Sequence, residues 1–173
     1  MPIKKETFKK YLNPCLVETG SYTGDGIQGA LDAGFERVVS IELSEKFYKR
    51  CVERFKNNPN VVIIHGDSAD VLYDAIKSIS TPITFWLDGH WSDGETAYGK
   101  KNSPLMEEFA QIAKHHIKNH TILIDDMRCW VKEDPEIQFG EEDLKKMILS
   151  INPTYQFSYE DGHIPNDILV AKP

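Results

Sequence analysis

Apolar and polar positions along the chain fall into a repeating order of short runs and longer stripes. Five apolar runs read as strands: Cys15–Val17, Arg37–Glu42, Val61–His65, Ile83–Leu87 and Thr121–Ile124. Stripes at helical spacing lie between them. Ile27 to Gly34 reads as a helix closed by its glycine. Phe47, Cys51 and Phe55 recur on one face behind a possible cap at Ser44. Val71, Leu72, Ala75, Ile76 and Ile79 follow a cap at Asp67 or Ser68. Leu105, Phe109, Ile112 and Ala113 follow Ser103 as N-cap and Pro104 at the first helical position. Asn57-Asn58-Pro59-Asn60 and Thr81-Pro82 break the pattern between elements. The run Val61–His65 is continuous, as expected of a strand covered on both faces.

After the fifth run the order changes. Leu144, Met147, Ile148 and Ile151 mark a helix, and two last strands, Tyr155–Tyr159 and Asp167–Ala171, follow with a hairpin connection between them. Residues 1–13 read as a short polar helix or arm. Strands that alternate with helices predict an α/β fold. The expectation is a doubly wound, Rossmann-like sheet of about seven strands with a C-terminal antiparallel hairpin. At 173 residues, one domain spanning 1–173 is expected.

Composition narrows the classes. Apolar residues make up 40% and charged residues 27%, as in an ordinary globular chain. The net charge of −7 argues against a nucleic-acid partner, because tracking phosphates needs a surplus of Lys and Arg. No run is long enough to span a bilayer, and no apolar segment stands behind Lys4 and Lys5, so neither a membrane partner nor a signal peptide is expected. Cys15, Cys51 and Cys129 are scattered and odd in number, which suits free thiols in a reducing cytoplasm.

Candidate chemistry collects at the ends of the five strands. The first runs into Glu18-Thr19-Gly20-Ser21-Tyr22-Thr23-Gly24-Asp25-Gly26, a glycine-rich turn into a helix. Such a turn lets backbone approach a nucleotide-like ligand, although a plain strand-to-helix turn is the simpler account. Glycines at 20, 24 and 26 do not give the G-x-G-x-x-G spacing of dinucleotide binders, and Glu18 precedes the first glycine. Both details favour S-adenosylmethionine over NAD. Glu42 ends the second strand, about 20 residues on, where an acid can accept from ribose hydroxyls. Asp67 and Ser68 follow the third strand, suited to an adenine edge, to a helix cap, or to both. Asp88 and His90 follow the fourth, and Asp125-Asp126 the fifth. A doubly wound sheet would face all of them into one crevice.

Other residues invite two readings. A long polar loop from Trp91 to Asn102 carries Trp91 and Tyr98, which suit either an acceptor cover or packing. Trp86 and Trp130 also flank the strand ends. His116 and His120 have metal-like spacing without an evident third ligand, so His115, His116 and His120 are read as partners of a helix C-terminus. The acids from Glu133 to Asp143 read as a solvated loop and helix start.

Taken together, Glu18-Thr-Gly-Ser-Tyr-Thr-Gly-Asp-Gly, Ser40-Ile-Glu42-Leu, His65-Gly-Asp67-Ser, Leu87-Asp-Gly-His90 and Ile124-Asp-Asp126 resemble the class I S-adenosylmethionine-dependent methyltransferases. The resemblance covers nearly the whole chain and is greatest to the small-molecule O-methyltransferases of the macrocin and novobiocin type. It implies S-adenosylmethionine binding by Glu18, Gly20, Ser21, Tyr22, Thr23, Glu42, Asp67, Ser68 and Asp88. It implies Mg²⁺ ligation by Asp88, Asp125 and Asp126, and a base position at His90. Those enzymes carry a carboxylate where this chain has His90, and a longer N-terminal arm.

The residues allow the same chemistry independently. A hydroxyl nucleophile loses its proton as the methyl moves, and the His90 imidazole, of ordinary pKa about 6.5, is a suitable base, with Asp88 as the second catalytic candidate, raising that pKa and holding one tautomer unless a divalent cation neutralises it. Three aspartates suit a hard cation. Successive strand residues point to opposite faces, so Asp125 and Asp126 converge only if the strand has ended before them. The expected partner is a small polar hydroxyl acceptor such as a sugar or nucleotide sugar, with a homodimer left open. The alternatives are an NAD-dependent sugar-modifying oxidoreductase and a nucleoside-binding module without transfer activity.

Overall fold

A computed structural model describes residues 5–88, 103–130 and 139–173. The elements run α1 (Lys5–Lys9), β1 (Cys15–Thr19), α2 (Asp25–Ala33), β2 (Arg37–Glu42), α3 (Glu45–Phe55), β3 (Val61–His65), α4 (Ser68–Ile76) and β4 (Ile83–Leu87). They continue with α5 (Leu105–Ile112), β5 (Thr121–Ile124), a 3-10 turn (Met127–Cys129), α6 (Glu141–Ile151), β6 (Gln156–Glu160) and β7 (Ile168–Lys172). One sheet takes the order β3-β2-β1-β4-β5-β7-β6. The first five strands pair in parallel, and β7 is antiparallel to both β5 and β6. This is the α/β sheet the alternation predicts. Both closing strands begin one residue later than the apolar pattern places them.

Strand alternation sends successive side chains to two separate cores. Val17, Val39, Phe85 and Ile122 face one side, where Leu72 and Ile76 of α4, Phe109 and Ile112 of α5, and Leu144 and Ile148 of α6 cover them. Leu16, Val38, Trp86 and Leu123 face the other, under Ile27 and Ala30 of α2 and Cys51 and Phe55 of α3. The N-terminal arm is more than a polar extension. Phe8 of α1 is fully buried and meets Phe35 and Trp86 edge-on, each at 5.8 Å between centroids. Trp86 therefore belongs to this core and not to the rim of the sheet. Cys15 and Cys51 are buried free thiols. Among the described residues no helix is long and apolar enough to cross a membrane.

One expectation is overturned. β3 is an edge strand, hydrogen-bonded on one side only, and Val62 is 38% exposed. Its unbroken apolar run reflects β propensity at a half-covered edge, not cover on both faces.

The histidine cluster also takes an unforeseen form. His115 and His120 are fully buried at the sheet edge where β4 begins. The Ile83 N–H donates to His120 Nδ1 at 3.1 Å, so the neutral His120 carries its proton on Nε2. That nitrogen lies 3.1 Å from His115 Nδ1, which also accepts from Ile117 N at 3.2 Å. His115 Nε2 then donates to the Ile76 carbonyl, the last of α4, at 3.1 Å. The chain of donors has one direction and ties β4, α4 and the segment before β5 together. Edge-on packing of His120 against Phe85 closes the site.

Protonating His120 would set two N–H groups face to face. Burial first, then repulsion from His115, pushes its pKa down to about 4. The unfolded chain, with an ordinary pKa of about 6.5, binds more protons between these values, so this contribution to stability is full above pH 6.5 and is lost as pH falls towards 4. Carboxyl groups with raised pKa act in the opposite direction, so the histidine contribution is read as a difference. The melting-temperature gap between wild type and His120→Asn should be larger at pH 7.5 than at pH 4.5, by roughly 5 to 10 °C for about 3 kcal/mol. A gap independent of pH would exclude the protonation account.

Candidate functional site

Parallel register brings the strand ends level. Thr19 lies opposite both Ile41 and Leu87, Glu42 opposite His65, and Leu87 opposite Ile124. The ladders continue one step past the strands. Gly20 N donates to Ile41 O at 2.9 Å, Gly66 N to Glu42 O at 3.0 Å, Asp88 N to Thr19 O at 3.2 Å and Asp125 N to Leu87 O at 3.1 Å. The residues after each strand thus share one rim. Strand order reverses between β1 and β4, where a crevice opens in sheets of this kind.

The glycine turn is fixed by close approach. Glu18 faces α2, and a Cβ at Gly26 would stand 1.8 Å from Glu18 Oε1, so a side chain there would have to displace the carboxylate. A Cβ at Gly24 would come 2.7 Å from the Phe55 ring, and its φ of 87° is left-handed. Ser40 donates to Glu18 Oε2 at 2.5 Å and accepts from Ser21, also at 2.5 Å. Burial, followed by the charges of Glu42 and Asp25, pushes the Glu18 carboxyl up to about 7 against the pull of Ser40. Glu18 is thus a buried brace under the turn, and Ser21 belongs to the same hydrogen-bonded chain.

Glu42 spans two segments with one carboxylate. Oε2 accepts from Tyr22 N at 2.8 Å and Oε1 from Ser44 N at 2.7 Å. Burial raises its pKa, and these backbone donors oppose the rise. Tyr22, at φ 45°, is half exposed with its ring against Phe47 at 4.5 Å. Thr23 is turned outward, its hydroxyl on Asp25 Oδ2 at 2.9 Å and its carbonyl accepting from Arg54 at 2.7 Å.

After β3, the Asp67 carboxylate caps α4 by accepting from Ala69 N at 3.0 Å. The buried Ser68 hydroxyl donates to Glu108 Oε1 at 2.5 Å. Glu108 sits on α5 in the apolar stripe with Leu105, Phe109 and Ile112, and is itself buried. Burial pushes its carboxyl up to about 7, and the Ser68 bond opposes that.

Asp88, Asp125 and Asp126 converge. One oxygen of each lies within 4.8 Å of the others. Two neighbours in sequence can do this because β5 ends at Ile124 and Asp126 adopts a left-handed backbone, φ 58°. Burial, then mutual repulsion, holds Asp88 well above the carboxylate range and Asp125 at about 6. Arg128 Nη1 is 2.5 Å from Asp126 Oδ1 and also pairs with Asp167. The buried Asp167 further accepts from the backbone N–H groups of Arg128 and His163, at 3.3 and 3.1 Å. The Trp130 indole donates to Asp125 O at 3.0 Å and stacks on Phe139. Three oxygen donors from three residues fit a hard divalent cation. His90, Trp91 and Tyr98 lie outside the described residues.

Sequence reading misses Ser40 as a partner of Glu18, and misses Glu108, Gln111, Arg128 and Asp167 altogether. One signal was present: Glu108 interrupts an otherwise apolar stripe, and a charge at such a position needs a partner. Nothing local marks Arg128 or Asp167, whose pairing joins positions far apart in the chain.

No protein-family profile matches the chain, and no curated protein matches it in sequence. Solved structures do. An O-methyltransferase from Bacillus cereus, in complex with S-adenosylhomocysteine, has 17% identity over 98% of this chain and 78% of its own, with a TM-score of 0.67. The O-methyltransferase TomG from Streptomyces achromogenes, in complex with S-adenosylmethionine, has 15% identity over 97% and 76%, at 0.65. The N-methyltransferase NodS from Bradyrhizobium japonicum WM9 has 12% identity over 91% and 75%, at 0.55. With its seven strands in this order and its antiparallel closing hairpin, the chain has the class I methyltransferase fold.

Proposed function

We propose that this protein is an S-adenosylmethionine-dependent methyltransferase acting on a hydroxyl of a small polar acceptor, such as a sugar or nucleotide sugar. The observation that carries the reading is the shared rim. A glycine turn, an acid that ends β2 and a cluster of three aspartates meet where strand order reverses, in a fold whose solved relatives hold S-adenosylmethionine or S-adenosylhomocysteine. The net charge of −7 also favours a small acceptor over a polyanion.

Each residue then has a task. The turn from Gly20 to Thr23 admits the methionine end of the methyl donor close to backbone, and Glu42 faces the ribose hydroxyls as their acceptor. Asp67 and the backbone of Ser68 meet the adenine edge. Asp88, Asp125 and Asp126 would hold Mg²⁺, which would supply Lewis acidity to the acceptor hydroxyl. His90 takes the acceptor proton as the oxygen–methyl bond forms and the sulfur–methyl bond breaks, leaving S-adenosylhomocysteine. Holding the acceptor oxygen in line with the departing sulfur supplies much of the acceleration.

Calorimetric titration of the wild type with S-adenosylhomocysteine should show one site, and Glu42→Gln should weaken it roughly 10- to 100-fold. Absence of binding to the wild type would sink the reading. With an acceptor in hand, chelation should suppress turnover, and Asp126→Asn should weaken Mn²⁺ binding in a direct titration. His90→Ala should lower kcat by roughly 10²- to 10⁴-fold with S-adenosylhomocysteine affinity retained. Wild-type turnover in that variant would remove His90 as the base.

A further inference from the structure

Gln111 of α5 bonds to the backbone of the neighbouring helix α4 at three points. In a regular α-helix the Tyr73 N–H would donate to the Ala69 carbonyl. Here Tyr73 N donates to Gln111 Oε1 at 2.6 Å, and Gln111 Nε2 donates to the Ala69 carbonyl. The carboxamide thus faces both members of a backbone pair in α4. The same Nε2 also donates to the Ser68 carbonyl at 2.9 Å. Helix α4 stays continuous from Ser68 to Ile76, with Gln111 bonded to its backbone from outside.

Glu108 lies one turn earlier on α5 and accepts from the Ser68 hydroxyl at 2.5 Å. Both side chains are buried, and both bond to Ser68, with Gln111 reaching Ala69 and Tyr73 as well. Leu72 and Ile76 of α4 pack in the core. Polar contacts from α5 thus hold the start of α4 next to Asp67, and apolar contacts hold the helix on the sheet. Buried polar groups that are fully paired cost much to displace, because each broken bond leaves a group without a partner.

We infer that Gln111 and Glu108 are positioning residues that set the base preference of the nucleoside pocket by holding the Asp67–Ala69 turn in register with the adenine edge. The inference rests on the methyltransferase reading and concerns part of its cofactor pocket. Adenine presents an amino donor at C6 beside a ring acceptor, whereas hypoxanthine presents an oxygen acceptor beside a ring N–H. A carboxylate acceptor and a backbone donor locked side by side accept the first pattern and reject the second. A loosened turn tolerates both.

Full-length protein is titrated with S-adenosylhomocysteine and with S-inosylhomocysteine, its 6-oxo analogue. Wild type should prefer the adenosyl compound by at least 30-fold. Gln111→Ala should bind S-adenosylhomocysteine at least tenfold more weakly and lower the preference below fivefold. In turnover, KM for S-adenosylmethionine should rise more than kcat falls. Glu108→Ala should reproduce the loss, and Glu108→Gln, which keeps an acceptor for Ser68, should restore the preference. If Gln111→Ala does not fold, Gln111→Glu decides in its place, since it keeps the acceptor for Tyr73 and loses both donations. Wild-type preference retained in the folded Gln111 variant overturns the inference and leaves the methyltransferase reading standing. A wild type that binds neither compound overturns both.

Discussion

The structure depends on the central position of β1, paired in parallel with β2 on one side and β4 on the other. Parallel strands in register end together, so residues that follow them are brought level by backbone geometry before any side chain contributes. Glu18, Glu42 and Asp88 are distant in the chain and meet for this reason alone. The antiparallel β7 then closes on β5 and brings Asp167 towards the aspartates that follow β5. Topology thus concentrates acidic groups along one edge, and the remaining interactions serve to keep them there.

That concentration has an electrostatic cost. Burial raises Glu18, Glu42, Asp88 and Asp125 above their ordinary range, and repulsion from neighbouring acids adds to the rise at Glu18, Asp88 and Asp125. Different devices offset the cost at each place. Backbone N–H groups satisfy Glu42, a serine satisfies Glu18, and the Arg128 guanidinium faces Asp126. The acids are thereby restrained by neighbours drawn from different elements.

How far the sequence made this legible varies by scale. Sheet class, strand number and the closing hairpin follow from periodicity, because burial on two faces forces Val, Ile and Leu into short runs. The rim acids were legible because strand ends are marked by a change from apolar to polar. The edge position of β3 was not, since an apolar run reads alike wherever its strand sits in the order. The convergence of Asp125 and Asp126 hinged on one left-handed residue, and the sequence showed only the condition that β5 must end before them. Gln111 was hidden more deeply. A polar residue on a helix reads as solvated unless the neighbouring helix is known, and its bonding to the backbone of α4 is a property of two elements together.

Glu18 and Gly26 carry a consequence for how this chain can change. The carboxylate fills the volume that any side chain at 26 would take, and the bare α-carbon is what admits the carboxylate. A side chain at 26 would have to turn the carboxylate away from its place beside Ser40, and a shorter acid at 18 would leave that space open. Each of the two positions therefore limits what the other can hold.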